Sequence, residues 1–119
     1  MKIQKTFALI LGIVLLLVGI LGFISNPIVG EKGFFKTNMA QNVLHIIAGL
    51  FGLYVGTMGK GPGYNLVLGW IGIALGVLGF IPVVDEMLLD YLNINLNITI
   101  LHLVLGVLFL LVYYLTDKE

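Results

Sequence analysis

Charge is confined almost entirely to the ends of four long stretches, and this constrains the fold more than any other feature of the chain. Residues 6–30 (25 residues), 37–59 (23), 61–84 (24) and 91–116 (26) contain no Asp, Glu, Lys or Arg. Each exceeds the roughly 20 residues that carry a helix across a hydrocarbon core about 30 Å thick. Lipid offers backbone N–H and C=O groups no partner, so such stretches must satisfy them internally, as helices. The sequence therefore predicts an all-α membrane protein with four transmembrane helices near 6–24, 39–57, 64–82 and 97–115, in a single domain covering 1–119.

Composition agrees. Hydrophobic residues make up 60% of the chain and charged residues 10%, against roughly 25% charged in soluble domains, which excludes a soluble globular domain. Six lysines, no arginine and six acids sum to zero, so there is no basic footprint for nucleic acid. With no cysteine, disulfides, thiolate nucleophiles and sulfur-ligated metal centres are excluded. Residues 1–5 form a charged head like that of a secretory signal. The apolar run over 7–24 outlasts the ~7–15 residues of a signal core, however, and Phe23-Ile24-Ser25 is no small-x-small cleavage site, so a retained helix is predicted.

In a four-span topology Lys2, Lys5, Lys60 and Lys118 share one side, and Lys32 and Lys36 the other. The positive-inside bias predicts a multi-pass protein of the cell membrane with both termini cytoplasmic. The Met-Gly-Lys-Gly-Pro-Gly run at 58–63 predicts a tight turn between antiparallel helices. The outer connection at 83–96 sets Met87, Leu88, Leu89, Tyr91 and Leu92 among three acids and suits a short interfacial helix.

Sliding the sequence against itself gives one ungapped register, at an offset of 57 residues. Residues 7–57 and 64–114 share 14 identities over 51 positions, among them Gly-x-Leu-Gly-Phe-Ile at 19–24 and 76–81 and Leu-His at 44–45 and 101–102. Each copy is a helix hairpin, so the two enter the membrane from one side as tandem parallel repeats related by an approximate twofold along the membrane normal.

Small and polar residues recur every three or four positions within the spans. The second span shows Asn38, Asn42, His45, Gly49, Gly52 and Gly56; the fourth shows Asn95, Thr99, His102, Gly106, Phe109 and Tyr113; the third shows Gly69, Gly72, Gly76 and Gly79; the first shows Gly12, Gly19 and Gly22. Such stripes lie on one helix face and allow close backbone approach, which predicts helix packing at these glycines. Phe109 and Tyr113 occupy the positions of Gly52 and Gly56, so bulk in one half is expected to meet a groove in the other.

His45 and His102 are repeat equivalents inside the membrane, where ionisable groups are functional candidates. One reading has them neutral and hydrogen-bonded between helices, with Asn42, Thr99 or each other as partners. A second is a proton- or ligand-linked role near the outer surface, and a third is axial ligation of haem b, with neighbouring glycines making room for the porphyrin, although no arginine is available for the propionates. Asn38 with Gln41 resembles a helix cap, and Asn95 or Asn97 is expected to cap the fourth span. Tyr64, Trp70, Tyr113 and Tyr114 read as an aromatic belt near the cytoplasmic helix ends. No catalytic constellation or metal-ligand cluster is present in the spans, so no enzyme activity is expected.

The Gly-x-Leu-Gly-Phe-Ile-Pro ending of the third span resembles an uncharacterised bacterial family. So do the Asn-x-Leu-His-x-x-x-Gly pattern at 42–49 and the Leu-x-x-Asn-x-x-x-x-x-Leu-His-x-x-x-Gly pattern at 92–106. Its members are small four-helix integral membrane proteins catalogued as a domain of unknown function. The resemblance covers nearly the whole chain and implies fold and a bacterial inner-membrane location, without an activity. The chain departs from the pattern where Thr99 stands opposite Asn42 and where Lys60 alone occupies the cytoplasmic turn. The leading functional expectation is a non-enzymatic, cofactor-free membrane protein acting through helix–helix or subunit contacts, its partners being the bilayer and a second copy or another membrane protein. A haem- or quinone-binding electron-transfer subunit using His45 and His102 is the alternative, and a small transporter or channel subunit the third reading.

Overall fold

The computed structural model describes residues 2–118. The order of elements is α1 (Ile3–Leu21), β1 (Val29–Gly30), β2 (Phe35–Lys36), α2 (Met39–Thr57), α3 (Pro62–Leu78), α4 (Val84–Leu92) and α5 (Leu96–Leu115). The chain is thus all-helical except for one short parallel bridge that pairs Val29 with Phe35 and Gly30 with Lys36. By length and composition α1, α2 and α5 can cross a membrane. α3 is apolar but has 17 residues, about 25 Å at 1.5 Å per residue.

Three boundaries differ from those expected, each for a local reason. α1 begins at Ile3 because Gln4, far from being a solvated head residue, is fully buried and bonded to the end of α5. It stops at Leu21 because Asn26 turns the chain: Asn26 Nδ2 donates to the Leu21 and Ile24 carbonyls (2.9 and 2.6 Å), and Oδ1 accepts from the Ile28 and Val29 N–H groups. These bonds satisfy carbonyls that a helix end leaves open. α3 ends at Leu78, four residues early, as its last turn tightens through Phe80 N to Val77 O and Ile81 N to Leu78 O, ahead of Pro82, whose ring disfavours a helical residue before it.

The short helix α4 forms in the connection between α3 and α5, with Asp85 and Glu86 in its first turn, where carboxylates favour the N-terminal dipole. Asn93 ends it in the left-handed conformation (φ 55°), which asparagine tolerates. At the opposite end of the molecule Gly61 adopts φ 100° and hands the chain to Pro62 at the first position of α3, a site where proline's missing N–H costs nothing.

The molecule is largely apolar outside, and its interior mixes small and polar residues with a few apolar ones, Val29, Ile94, Ile98 and Phe109. Ile10, Leu17, Leu50, Phe51, Val104 and Leu111 are exposed, whereas Gln4, Thr37, Gln41, Asn42, Asn65 and Thr99 are buried. This distribution is compatible with a membrane protein, in which helices pack through small and polar residues while apolar side chains face lipid.

α1 lies along α2 and α3 along α5, whereas the two pairs touch each other sparsely. Each pair closes on glycine. A methyl group at Gly12 would come within 2.7 Å of the Gly52 carbonyl carbon, and one at Gly49 within 2.5 Å of Leu16 N. In the second pair a methyl at Gly72 would meet Gly106 Cα at 2.7 Å, and one at Gly106 would meet Ile73 N at 2.6 Å. Gly19 abuts Ile46, Gly76 abuts Leu103, Gly22 abuts the Asn42 side chain and Gly79 abuts that of Thr99; Gly56 backs onto Leu9 and Gly69 onto Leu110.

Candidate functional site

The sparse seam between the pairs holds most of the buried polar chemistry. α2 and α5 are both capped by asparagine: Asn38 Oδ1 accepts from Gln41 N (2.9 Å) and Asn95 Oδ1 from Ile98 N (3.1 Å). His45 and His102 each follow their cap by seven residues, about 10 Å along the helix. Their rings meet edge-on across the seam with centroids 6.2 Å apart and planes at 67°. Both Nδ1 atoms are buried without a hydrogen-bond partner.

Asn42 and Thr99 are not placed as partners for the imidazoles. Asn42 folds into the notch at Gly22 and Thr99 into the equivalent notch at Gly79, and Asn42 Oδ1 is itself unpartnered. Nor do the glycines next to the histidines leave room for a porphyrin. The space beside Gly49 is filled by the α1 backbone at Gly12 and Leu16, and that beside Gly106 by the α3 backbone at Gly69, Gly72 and Ile73. Two clefts of about 450 and 420 Å³ do occur, one at Gly22, Asn38 and Asn42 and the other at Gly79, Asn95 and Thr99, but neither is lined by a histidine.

Towards the chain termini the seam is closed by aromatic rings. Phe109 packs edge-on against Phe7 (5.0 Å) and Tyr64 (6.1 Å). Tyr64 is therefore an interior residue and no member of a surface belt: it crosses to α2, where its hydroxyl donates to the Ala48 carbonyl (2.8 Å) and lies beside Gly52. The Gly52 groove is filled by the α1 backbone at Gly12 and Ala8 together with the Tyr64 hydroxyl, with Phe109 against the Tyr64 ring. Trp70 lies midway along α3 and is exposed.

Beyond the rings a polar knot joins three helices. Gln4 Nε2 donates to Val112 O (2.7 Å) and Thr116 Oγ1 (2.8 Å), and Asn65 Nδ2 donates to Gln4 Oε1 (2.8 Å) and Gln4 O (3.0 Å). Both residues are fully buried. Sequence reasoning passed over them. Gln4 sits among the lysines of the charged head, and Asn65 falls opposite Ala8 in the repeat register, a mismatch of a polar residue with a small one that could have flagged it.

At the opposite end asparagine and glutamine amides stitch the two connections together. Asn38 Nδ2 donates to Tyr91 O, Gln41 Nε2 to Leu92 O, Asn93 Nδ2 to Thr37 O, and both Asn95 and Asn97 Nδ2 to Phe34 O, at 2.8–3.0 Å. Gln41 consequently does not return to the Asn38 N–H, and only the first half of the expected capping box forms.

The family described as Domain of unknown function (DUF4383) matches residues 5–115. No curated protein and no solved structure matches the chain.

Proposed function

The chain belongs to the DUF4383 family, and on that premise we propose that it is a small, non-enzymatic cell-membrane protein of four spans. On this reading it is built as two tandem parallel hairpins, residues 7–57 and 64–114, and works through the association of those hairpins with each other and with other membrane helices. The observation that carries this reading is the register of the glycine contacts. Gly19 on Ile46 and Gly76 on Leu103, like Gly22 on Asn42 and Gly79 on Thr99, are the same contacts moved by 57 residues. If α3 repeats α1 contact for contact, then α3 is a span as α1 is, and 17 residues are at the lower end of what crosses a bilayer.

Two observations support an arrangement with both termini cytoplasmic. The Gln4–Thr116 bond gathers the two chain ends on one side, and that side carries Lys2, Lys5, Lys60 and Lys118, as positive charge does on cytoplasmic faces. Single cysteines at the exposed positions Phe34, Met58 and Glu86, introduced into this cysteine-free chain, test it without removing a lysine. In intact cells a membrane-impermeant maleimide should label positions 34 and 86 and spare 58 until the cells are lysed. The reverse pattern would invert the topology, and labelling of 34 and 86 on opposite sides would remove a span.

A second reading, a bound haem or quinone, draws on the adjacent imidazoles alone. The purified protein should be colourless above 300 nm; a Soret band would replace the first reading by this one.

A further inference from the structure

We propose that His45 and His102 form a two-coordinate site for a monovalent d10 metal ion, copper(I) or its analogue silver(I), which bridges the two hairpins. The inference deepens the hairpin-association reading by naming what joins the hairpins at their centre.

Each neutral imidazole has one nitrogen lone pair to give, and buried polar atoms in folded proteins almost always have a partner, so two orphans at one place call for a water or an ion. Here both orphans are Nδ1 atoms of equivalent histidines on helices that otherwise touch sparsely. The ring separation leaves room for one bridging atom. Two imidazoles sharing a metal in line, at about 2 Å per bond and with the ring centre about 1.1 Å behind the nitrogen, have centroids about 6 Å apart. A direct N–H···N bond of about 3 Å would draw the centroids to about 5 Å. The observed separation is 6.2 Å.

The donor set selects the ion. Among the described residues no third His, Cys, Asp or Glu joins the pair to make a metal-binding group, so the four ligands of zinc and the oxygen cages of magnesium or calcium have no counterpart. Two neutral nitrogens cannot offset a buried double charge, whereas a single charge with a preference for two ligands in line matches them. Met39, Met58 and Met87, the thioethers that could compete, are exposed and outside the pair.

The test uses the full chain in detergent under anaerobic, reducing conditions, with copper(I) titrated against a chromophoric copper(I) chelator. One ion per chain is expected, with X-ray absorption showing two nitrogen neighbours and no sulfur. His45→Gln and His102→Gln should each weaken retention at least tenfold, the double variant should be no weaker than either single, and Met58→Leu should bind as wild type does. Silver(I) added to the unmutated protein should move the NMR signals of both imidazoles together, a readout independent of how the variants fold. Retention by the double variant equal to wild type, sulfur scattering, or imidazole signals indifferent to silver would overturn the site, the last in favour of a water-bridged pair. None of these failures would alter the labelling pattern that tests the hairpin reading.

Discussion

Gly72→Leu should destabilise the protein by about 3 kcal/mol or more, the upper range for overpacking a filled interface. The neighbours of a side chain at this position are backbone atoms, Gly106 Cα and His102 O at 2.7 Å and Gly106 N at 2.9 Å from the first added carbon, and they can move only if α3 and α5 separate. Two controls isolate the cause. Ala74→Leu places the same side chain on the exposed face of the same helix and should be mild. Gly63→Ala meets nothing within 4 Å and should be neutral or stabilising by a few tenths of a kcal/mol, because alanine favours helix over glycine. Steric-trap or denaturant unfolding in detergent ranks the three, and equal costs at positions 72 and 74 would refute close packing of α3 on α5.

Asn65→Leu should cost about 1–3 kcal/mol, since it strips Gln4 Oε1 of its donor while leaving that oxygen buried. Gln4→Leu should cost a similar amount by removing the bonds from Gln4 Nε2 to Val112 O and Thr116 Oγ1 and leaving Asn65 Nδ2 with the Gln4 backbone carbonyl alone. The double variant should lose clearly less than the sum of the two, because replacing both members of a buried pair removes the unsatisfied atoms along with the bond. Strict additivity in the same unfolding assay would mean that Gln4 and Asn65 act separately and that the knot in the structure does not couple α1 to α3.

What could be read in advance follows from what kind of signal each feature leaves. Long uncharged runs announce helices because lipid permits little else, and asparagine before an apolar run announces a cap, as at Asn38 and Asn95. Spacing shows that the glycines and the two histidines lie on one face of each helix, but not which neighbour fills the face. That depends on three-dimensional fit, and it sets Gly49 against the α1 backbone where the sequence suggested space for a ligand. Single amides are harder still. Nothing local distinguishes Asn26, which turns the chain with its own side chain, from any loop asparagine, and Gln4 is read as exposed because lysines flank it. The parallel bridge at Val29–Gly30 and Phe35–Lys36 involves two residues per strand, too few to carry a period-two pattern. Tyr64 misleads for the opposite reason: a tyrosine near a helix end matches the interfacial rule, yet the groove at Gly52 admits its hydroxyl, from which Ala48 O accepts a bond.

The early end of α3 matters for the surrounding lipid. With 17 residues against 19 in α1 and α2 and 20 in α5, it would, on the four-span reading, present an apolar wall of about 25 Å to a hydrocarbon core near 30 Å. A helix shorter than the core is accommodated by local thinning of the bilayer or by snorkelling of flanking residues, at a fraction of a kcal/mol per Å. On that reading the flank bearing α3 would make a shallow dent in the leaflet beside α4, in which the exposed Met87, Leu89 and Tyr91 would rest. Thickness would then become a sorting variable, with the protein expected to gather where the membrane is thin and not in thick, tightly ordered patches.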